Sequence, residues 1–156
     1  MRLHESRLDP AATTDRALAT VHRLWREKRG ARAVPLRSDI DPSDLKPVLG
    51  MLSLVDVRRR PLRFTFRLNG SQHNASFNFR DATGRSLDEV EPPAYRRMVE
   101  RHWREALELG EPTLYAIELE HEGLRVAYTR LVAPLSVGGD EIDILLICAA
   151  EASSQV

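Results

Sequence analysis

Thr113-Leu-Tyr-Ala-Ile-Glu-Leu-Glu-His-Glu-Gly-Leu-Arg-Val-Ala-Tyr-Thr-Arg-Leu-Val-Ala133 is two alternating runs joined by Glu122-Gly123. A turn-forming pair between alternating runs reads as a two-residue hairpin connection, so His121 is expected to pair with Leu124. The side-chain period of two then sets Leu119 opposite Val126, Ile117 opposite Tyr128 and Tyr115 opposite Arg130 on one face. The other face carries Glu118 opposite Ala127 and Glu120 opposite Arg125, which suits water. This stretch therefore predicts an antiparallel sheet with an apolar inner face that a helix must cover.

Working outward, the covering helix is expected over Pro93 to Leu109, with proline at its start, Gly110 after its end, and Tyr95, Val99, Trp103, Ala106 and Leu107 at helical spacing. Upstream, Met51 to Val57 and Phe64 to Asn69 read as two strands joined through Arg58-Arg-Arg-Pro61. Ser71 to Phe79 is polar and short enough for only a helical turn or two, and Asp81-Ala-Thr-Gly84 reads as a tight turn. Downstream, Gly138-Gly139 signals another turn and Glu141 to Cys148 a last strand. An even-length turn there points Leu145 and Ile147 inward and leaves Ile142, Ile144, Leu146 and Cys148 outward beside Leu131. A strand apolar on both faces needs cover on both. A helix from Thr13 or Thr14 to Gly30, with Leu18, Val21 and Trp25 on one side, can supply it, and so can a second copy; both are expected to contribute, giving a homodimer.

The rest of that first helix carries Arg16, Arg23, Arg26 and Arg29, which are either solvated charge or a basic face for an acidic partner. Asp41 and Pro42 announce a very short helix that Pro47 should stop. Residues 1–12 lack periodicity and are expected as a flexible N-terminal arm, 13–150 as a single domain, and 151–156 as a C-terminal tail.

Composition narrows the function classes. The 156 residues, 42% hydrophobic, suffice for one core, and 23 basic against 23 acidic residues give a formal net charge of zero. No general positive field exists to hold nucleic acid or anionic lipid, so neither is an expected partner. No run approaches the roughly 20 apolar residues of a membrane span, the start lacks a secretory apolar run, and Cys148 stands alone. The expectation is a cytoplasmic protein without disulfides. The five histidines are scattered, no C-x-x-C or H-E-x-x-H occurs, and the serines lack the glycine context of a nucleophile elbow, so neither a metal site nor catalysis is expected.

Arg130 is the residue to watch. Its register places it on the inner face among Tyr115, Ile117, Val126 and Tyr128, where an unpaired guanidinium is costly. It needs a carboxylate, carbonyl groups or a bound anion, or must reach the rim. A pocket is expected between Phe64, Phe66, Trp103, Tyr115, Ile117, Tyr128 and Arg130.

Phe66-Arg67-Leu68-Asn69-Gly70 followed by Asp81-Ala-Thr-Gly-Arg-Ser-Leu-Asp-Glu-Val90 resembles the PAS-domain superfamily. Trp25, Ile40-Asp41-Pro42, Phe66-Arg67-Leu68, Thr83-Gly84-Arg85 and Pro134-Leu135-Ser136, in that order, are similar to the bacterial single-domain PAS-like proteins. The resemblance implies an α+β fold: a five-stranded antiparallel sheet with helices on one face and, here, an additional N-terminal helix. It also implies a stand-alone sensory module that takes a small molecule, a regulatory protein partner, or both, and signals by protein contact. A ligand-free adaptor working through its first helix is the alternative. Members that sense light through flavin carry a reactive cysteine in the helix after the second strand; here that region has none, and flavin is not expected. Haem-binding relatives use one axial histidine, for which His73 and His102 are the candidates, and haem is not expected either. Gly138-Gly139-Asp140-Glu141-Ile142 resembles the diguanylate cyclase signature, but it sits in an expected turn with 14 residues after it. That is too little chain for a cyclase.

Overall fold

The computed structural model describes residues 1–69 and 83–151. Six strands form one sheet: β1 (Arg2–Leu8), β2 (Leu52–Arg58), β3 (Arg63–Asn69), β4 (Thr113–His121), β5 (Leu124–Leu135) and β6 (Ile144–Glu151). Their order is β1-β4-β5-β6-β2-β3, and every neighbouring pair is antiparallel. Among the described residues two α-helices, α1 (Arg16–Arg29) and α2 (Pro93–Leu109), lie on opposite faces of it.

The β4–β5 hairpin turns where the sequence places it. Glu122 and Gly123 have φ of +51° and +80°, the two left-handed residues that a tight hairpin turn demands. The expected pairs follow, from His121 with Leu124 to Tyr115 with Arg130. The β5–β6 connection is longer than a Gly138-Gly139 turn. It runs from Ser136 to Asp143, closed by Ser136 Oγ donating to the Gly139 carbonyl and by the Val137 amide donating to Asp143. Its even residue count preserves phase, so Leu145 and Ile147 point inward as expected although β6 starts at Ile144 rather than Glu141.

The two sheet faces build two cores. On one, Leu18, Val21, Leu24 and Trp25 of α1 bury against Leu114, Leu131, Leu135, Ile144, Leu146 and Cys148. Trp25 fixes the helix there by donating Nε1–H to the Pro134 carbonyl at 2.7 Å. α1, together with Val34, Ile40, Leu45 and Val48 of the segment that follows it, covers the outer apolar patch, and that face does not require the second copy expected beside it. On the other, Tyr95, Met98, Val99, Trp103 and Ala106 of α2 bury against Val55, Phe64, Ile117, Tyr128, Leu145 and Ile147.

Three expectations are corrected. Residues 2–8 are not part of a loose arm: they form β1, an edge strand in register with β4 from Arg2 opposite Glu120 to Leu8 opposite Leu114. Its inward side chains are Leu3, Glu5 and Arg7, two of them charged, so the hydrophobic alternation that would announce a strand is missing. The sheet thus has six strands rather than five. Pro47 does not stop the short helix after Asp41; a 3-10 helix runs from Pro42 to Met51 through it. A 3-10 helix is bonded turn by turn, so the missing proline N–H removes one bond without ending the run. The cap of α1 lies one or two residues later than expected, at Asp15 rather than Thr13 or Thr14, its carboxylate accepting from the Leu18 amide. No helix among the described residues is long and apolar enough to cross a membrane.

Candidate functional site

The seven expected residues all lie on the α2 side of the sheet, but in two groups: Phe64 and Phe66 of β3 meet Trp103, while Tyr115, Ile117, Tyr128 and Arg130 lie on β4 and β5, with β6 and β2 between β5 and β3. Phe64, Trp103, Ile117 and Tyr128 are buried, Arg130 is 5% exposed, and Phe66 and Tyr115 are half-buried at the margin. Phe64 and Phe66 meet the Trp103 ring edge-on at centroid distances of 5.3 and 5.5 Å. These edge-on contacts pack β3 against α2.

Arg130 does not reach the rim. Its Nη1 donates to the Tyr128 hydroxyl at 3.3 Å, which lies 2.8 Å from the Tyr95 hydroxyl. Its Nη2 lies 3.1 Å from His102 Nδ1. A guanidinium has only donors, so Nδ1 must accept and the ring proton sits on Nε2. Nε2–H then donates to Glu5 Oε1 at 3.0 Å. Glu5 also receives both Nη groups of Arg101, at 2.8 and 3.0 Å. The buried cation thus reaches its carboxylate through an imidazole, on the strand that the sequence reading treats as an arm.

The electrostatics fit this proton arrangement. Burial, helped by the Arg130 charge, lowers the His102 pKa to about 4, so the ring stays neutral at ordinary pH. The Arg101 hydrogen bond, joined by His102, holds Glu5 below the usual carboxylate range against the opposing effect of burial. Burial pushes the Tyr128 phenol well up, reinforced by Tyr95. Tyr115 stacks on His102 at 3.7 Å and 12° and donates its hydroxyl to Glu105 at 2.8 Å; burial and then that carboxylate raise its pKa.

Two buried donors in this region, Arg130 Nε and Trp103 Nε1, have no hydrogen-bond partner among the described residues. A buried donor without a partner costs about 1–3 kcal/mol, more when charged, so these mark where an acceptor is wanted. Two clefts among the described residues lie elsewhere. One of about 450 Å³ opens between Leu8–Asp15 and the ends of β5 and β6, and one of about 310 Å³ on the outer face of β1, β4 and β5. Neither holds Arg130. Chemistry favours the Arg130 region over either cleft, because both clefts are lined largely by exposed or small side chains.

Sequence reasoning missed Glu5 and Arg101, and named His102 only as a haem candidate. His102 falls on the same helical stripe as Tyr95, Val99 and Ala106, a signal that it faces the sheet. Nothing local marks Glu5. Both His102 ring nitrogens are engaged, so ligation of an iron requires breaking one of these bonds. His73, the other haem candidate, lies outside the described residues, as does the polar helical turn expected over Ser71 to Phe79. Cys148 is buried beneath α1 on the face away from α2, and burial pushes its thiol up to about 12. Among the described residues no group of three or more His, Cys, Asp or Glu could hold a metal ion.

Comparison with known proteins agrees with this architecture. No curated protein matches the chain. A solved structure described as a light-oxygen-voltage domain studied with a flavin analogue superposes with a TM-score of 0.52 at 17% identity, covering 72% of this chain and 86% of that one. At that identity the likeness carries the fold alone. The family model for the PAS domain matches residues 13–148, from just before α1 to within β6 and excluding β1. Sheet order, helix placement and this match lead to one conclusion: the chain belongs to the PAS domain family.

Proposed function

We propose that this chain is a sensory module whose input is a small carboxylate or similar anion taken by Arg130 beneath α2, and whose output is contact with a regulatory protein. One observation carries the reading: a guanidinium 5% exposed, with Nε unpaired among the described residues, 5.8 Å from the Tyr128 ring. A carboxylate accepts from two neighbouring guanidinium N–H groups at once, and the Tyr128 ring beside the guanidinium suits an apolar body. Entry of such a molecule shifts α2 away from the sheet, changing the surface offered to a partner. In this reading the module binds and signals and performs no chemistry. The flavin of the structural neighbour belongs to that protein and is no part of the proposal.

The test uses purified protein, denaturing mass spectrometry for a co-purified acid, and calorimetric titration with a panel from acetate to benzoate. Binding by the native protein and loss of at least about ten-fold in affinity in Arg130→Met support the reading. Equal affinity in that variant rejects it. A second reading, an adaptor without ligand, draws on the exposed Arg16, Arg23, Arg26 and Lys28 of α1. It predicts partner binding lost on charge reversal at Arg23 and Arg26 and unchanged in Arg130→Met.

A further inference from the structure

β1 is held differently from the other strands. Leu3 is its only hydrophobic side chain packed against a core, and five of its seven residues are exposed. Its attachment comes from the ladder with β4 and from ion pairs to α2: Glu5 with Arg101, and Arg7 with Glu105 at 2.6 Å. An edge strand secured by polar contacts rather than apolar burial belongs to the low-stability end of a fold. Glu5 also meets His102, and His102 meets Arg130.

We propose that β1 is a releasable strand whose hold on α2 is set by Arg130 through His102, so that an anion taken by Arg130 is reported at the sheet edge as loosened β1. The coupling follows from donor and acceptor counting. While Arg130 donates to Nδ1, the Nε2 proton must face Glu5. An anion bridging Arg130 Nε and Nη2 competes with Nδ1 for the guanidinium, and once Nδ1 is released the ring no longer commits its proton to Glu5. The carboxylate keeps Arg101, which is largely exposed, and loses its buried partner. The physiological input rests on the anion-reading function proposed above, whereas the coupling belongs to the chain alone and is measurable without a ligand.

The experiment is amide hydrogen exchange of residues 3–7 at pH 8, where His102 is neutral even at its unperturbed pKa of about 6.5. Arg130→Met mimics withdrawal of the guanidinium and is expected to speed β1 exchange about ten-fold, while β2 and β6 amides keep their rates. His102→Leu is expected to do the same. His102→Gln, whose amide supplies both an acceptor and a donor, is expected to stay near the wild-type rate. In a Glu5→Gln background Arg130→Met is expected to add nothing further. Unchanged β1 exchange in both Arg130→Met and His102→Leu overturns the proposal, and so does full additivity with Glu5→Gln. Uncoupled β1 with Arg130-dependent acetate or benzoate binding removes the latch and leaves the sensor. Coupled β1 with carboxylate binding indifferent to Arg130 removes the sensor and leaves the latch.

Discussion

Acidification should weaken this protein through one identifiable group. His102 is 1% exposed, accepts from Arg130 at Nδ1 and donates to Glu5 from Nε2. Its folded-state pKa is about 4, against 6.5 for the ordinary imidazole. Between those values the unfolded chain binds a proton that the folded chain refuses, so stability rises with pH through the window and is lost as pH falls from about 6.5 to about 4. At 1.36 kcal/mol per pH unit the loss amounts to about 3 kcal/mol, or a melting temperature lower by about 6–12 °C. Protonation also turns Nδ1 into a donor facing the Arg130 donor, which breaks the bond that organises the site. Urea unfolding at half-unit pH steps, for wild type and His102→Gln, isolates the effect. His22, which burial also lowers, titrates in both proteins and cancels to first order, and Glu5 keeps Arg101, the largest cause of its lowered pKa, in both. The difference curve should be flat above pH 6.5, slope through the window and flatten near 4. Parallel stability curves for the two proteins would refute the assigned proton arrangement.

Trp25→Phe removes the hydrogen bond to Pro134 and part of the α1 core, and should cost about 3 kcal/mol by thermal or chemical unfolding; a loss below about 1 kcal/mol would mean that α1 covers its face without the indole. Gly123→Ala meets nothing within 4 Å but retains φ of +80°, so only backbone strain is introduced. The expected loss is about 1–2 kcal/mol, smaller for Gly123→Asn, by the same assays. Cys148, buried with its thiol pushed up to about 12, should resist an aromatic disulfide reagent until the protein unfolds. Labelling of the native protein faster than unfolding would contradict its placement under α1.

Elements governed by local rules were legible. The register of β4 and β5 follows from one two-residue turn, and α2 from its proline start, glycine stop and apolar stripe. The double-sided β6 even called for α1 as its cover. The short 3-10 helix at Leu87–Glu89 was missed, although Ser86 and Glu89 form the capping box that the sequence spells. β1 was illegible for a deeper reason. Its inward side chains make sense only against Arg101, His102 and Glu105, about a hundred residues away, so no window along the chain contains the information. The site shared that limit. Register alone could aim Arg130 inward with its aromatic neighbours, but not name Glu5 as the carboxylate it reaches.

Successive residues of β6 serve different cores: Ile144, Leu146 and Cys148 abut α1, while Leu145 and Ile147 abut α2. That strand is a party wall, and neither side can be remodelled privately. A side chain enlarged at Ile147 displaces the backbone toward α1, because close-packed interiors move strain rather than absorb it. Evolution of a wider cavity beneath α2 would therefore have to revise Ile144, Leu146 or Trp25 as well, and variants of the binding face should appear with compensating changes on the far side of the sheet.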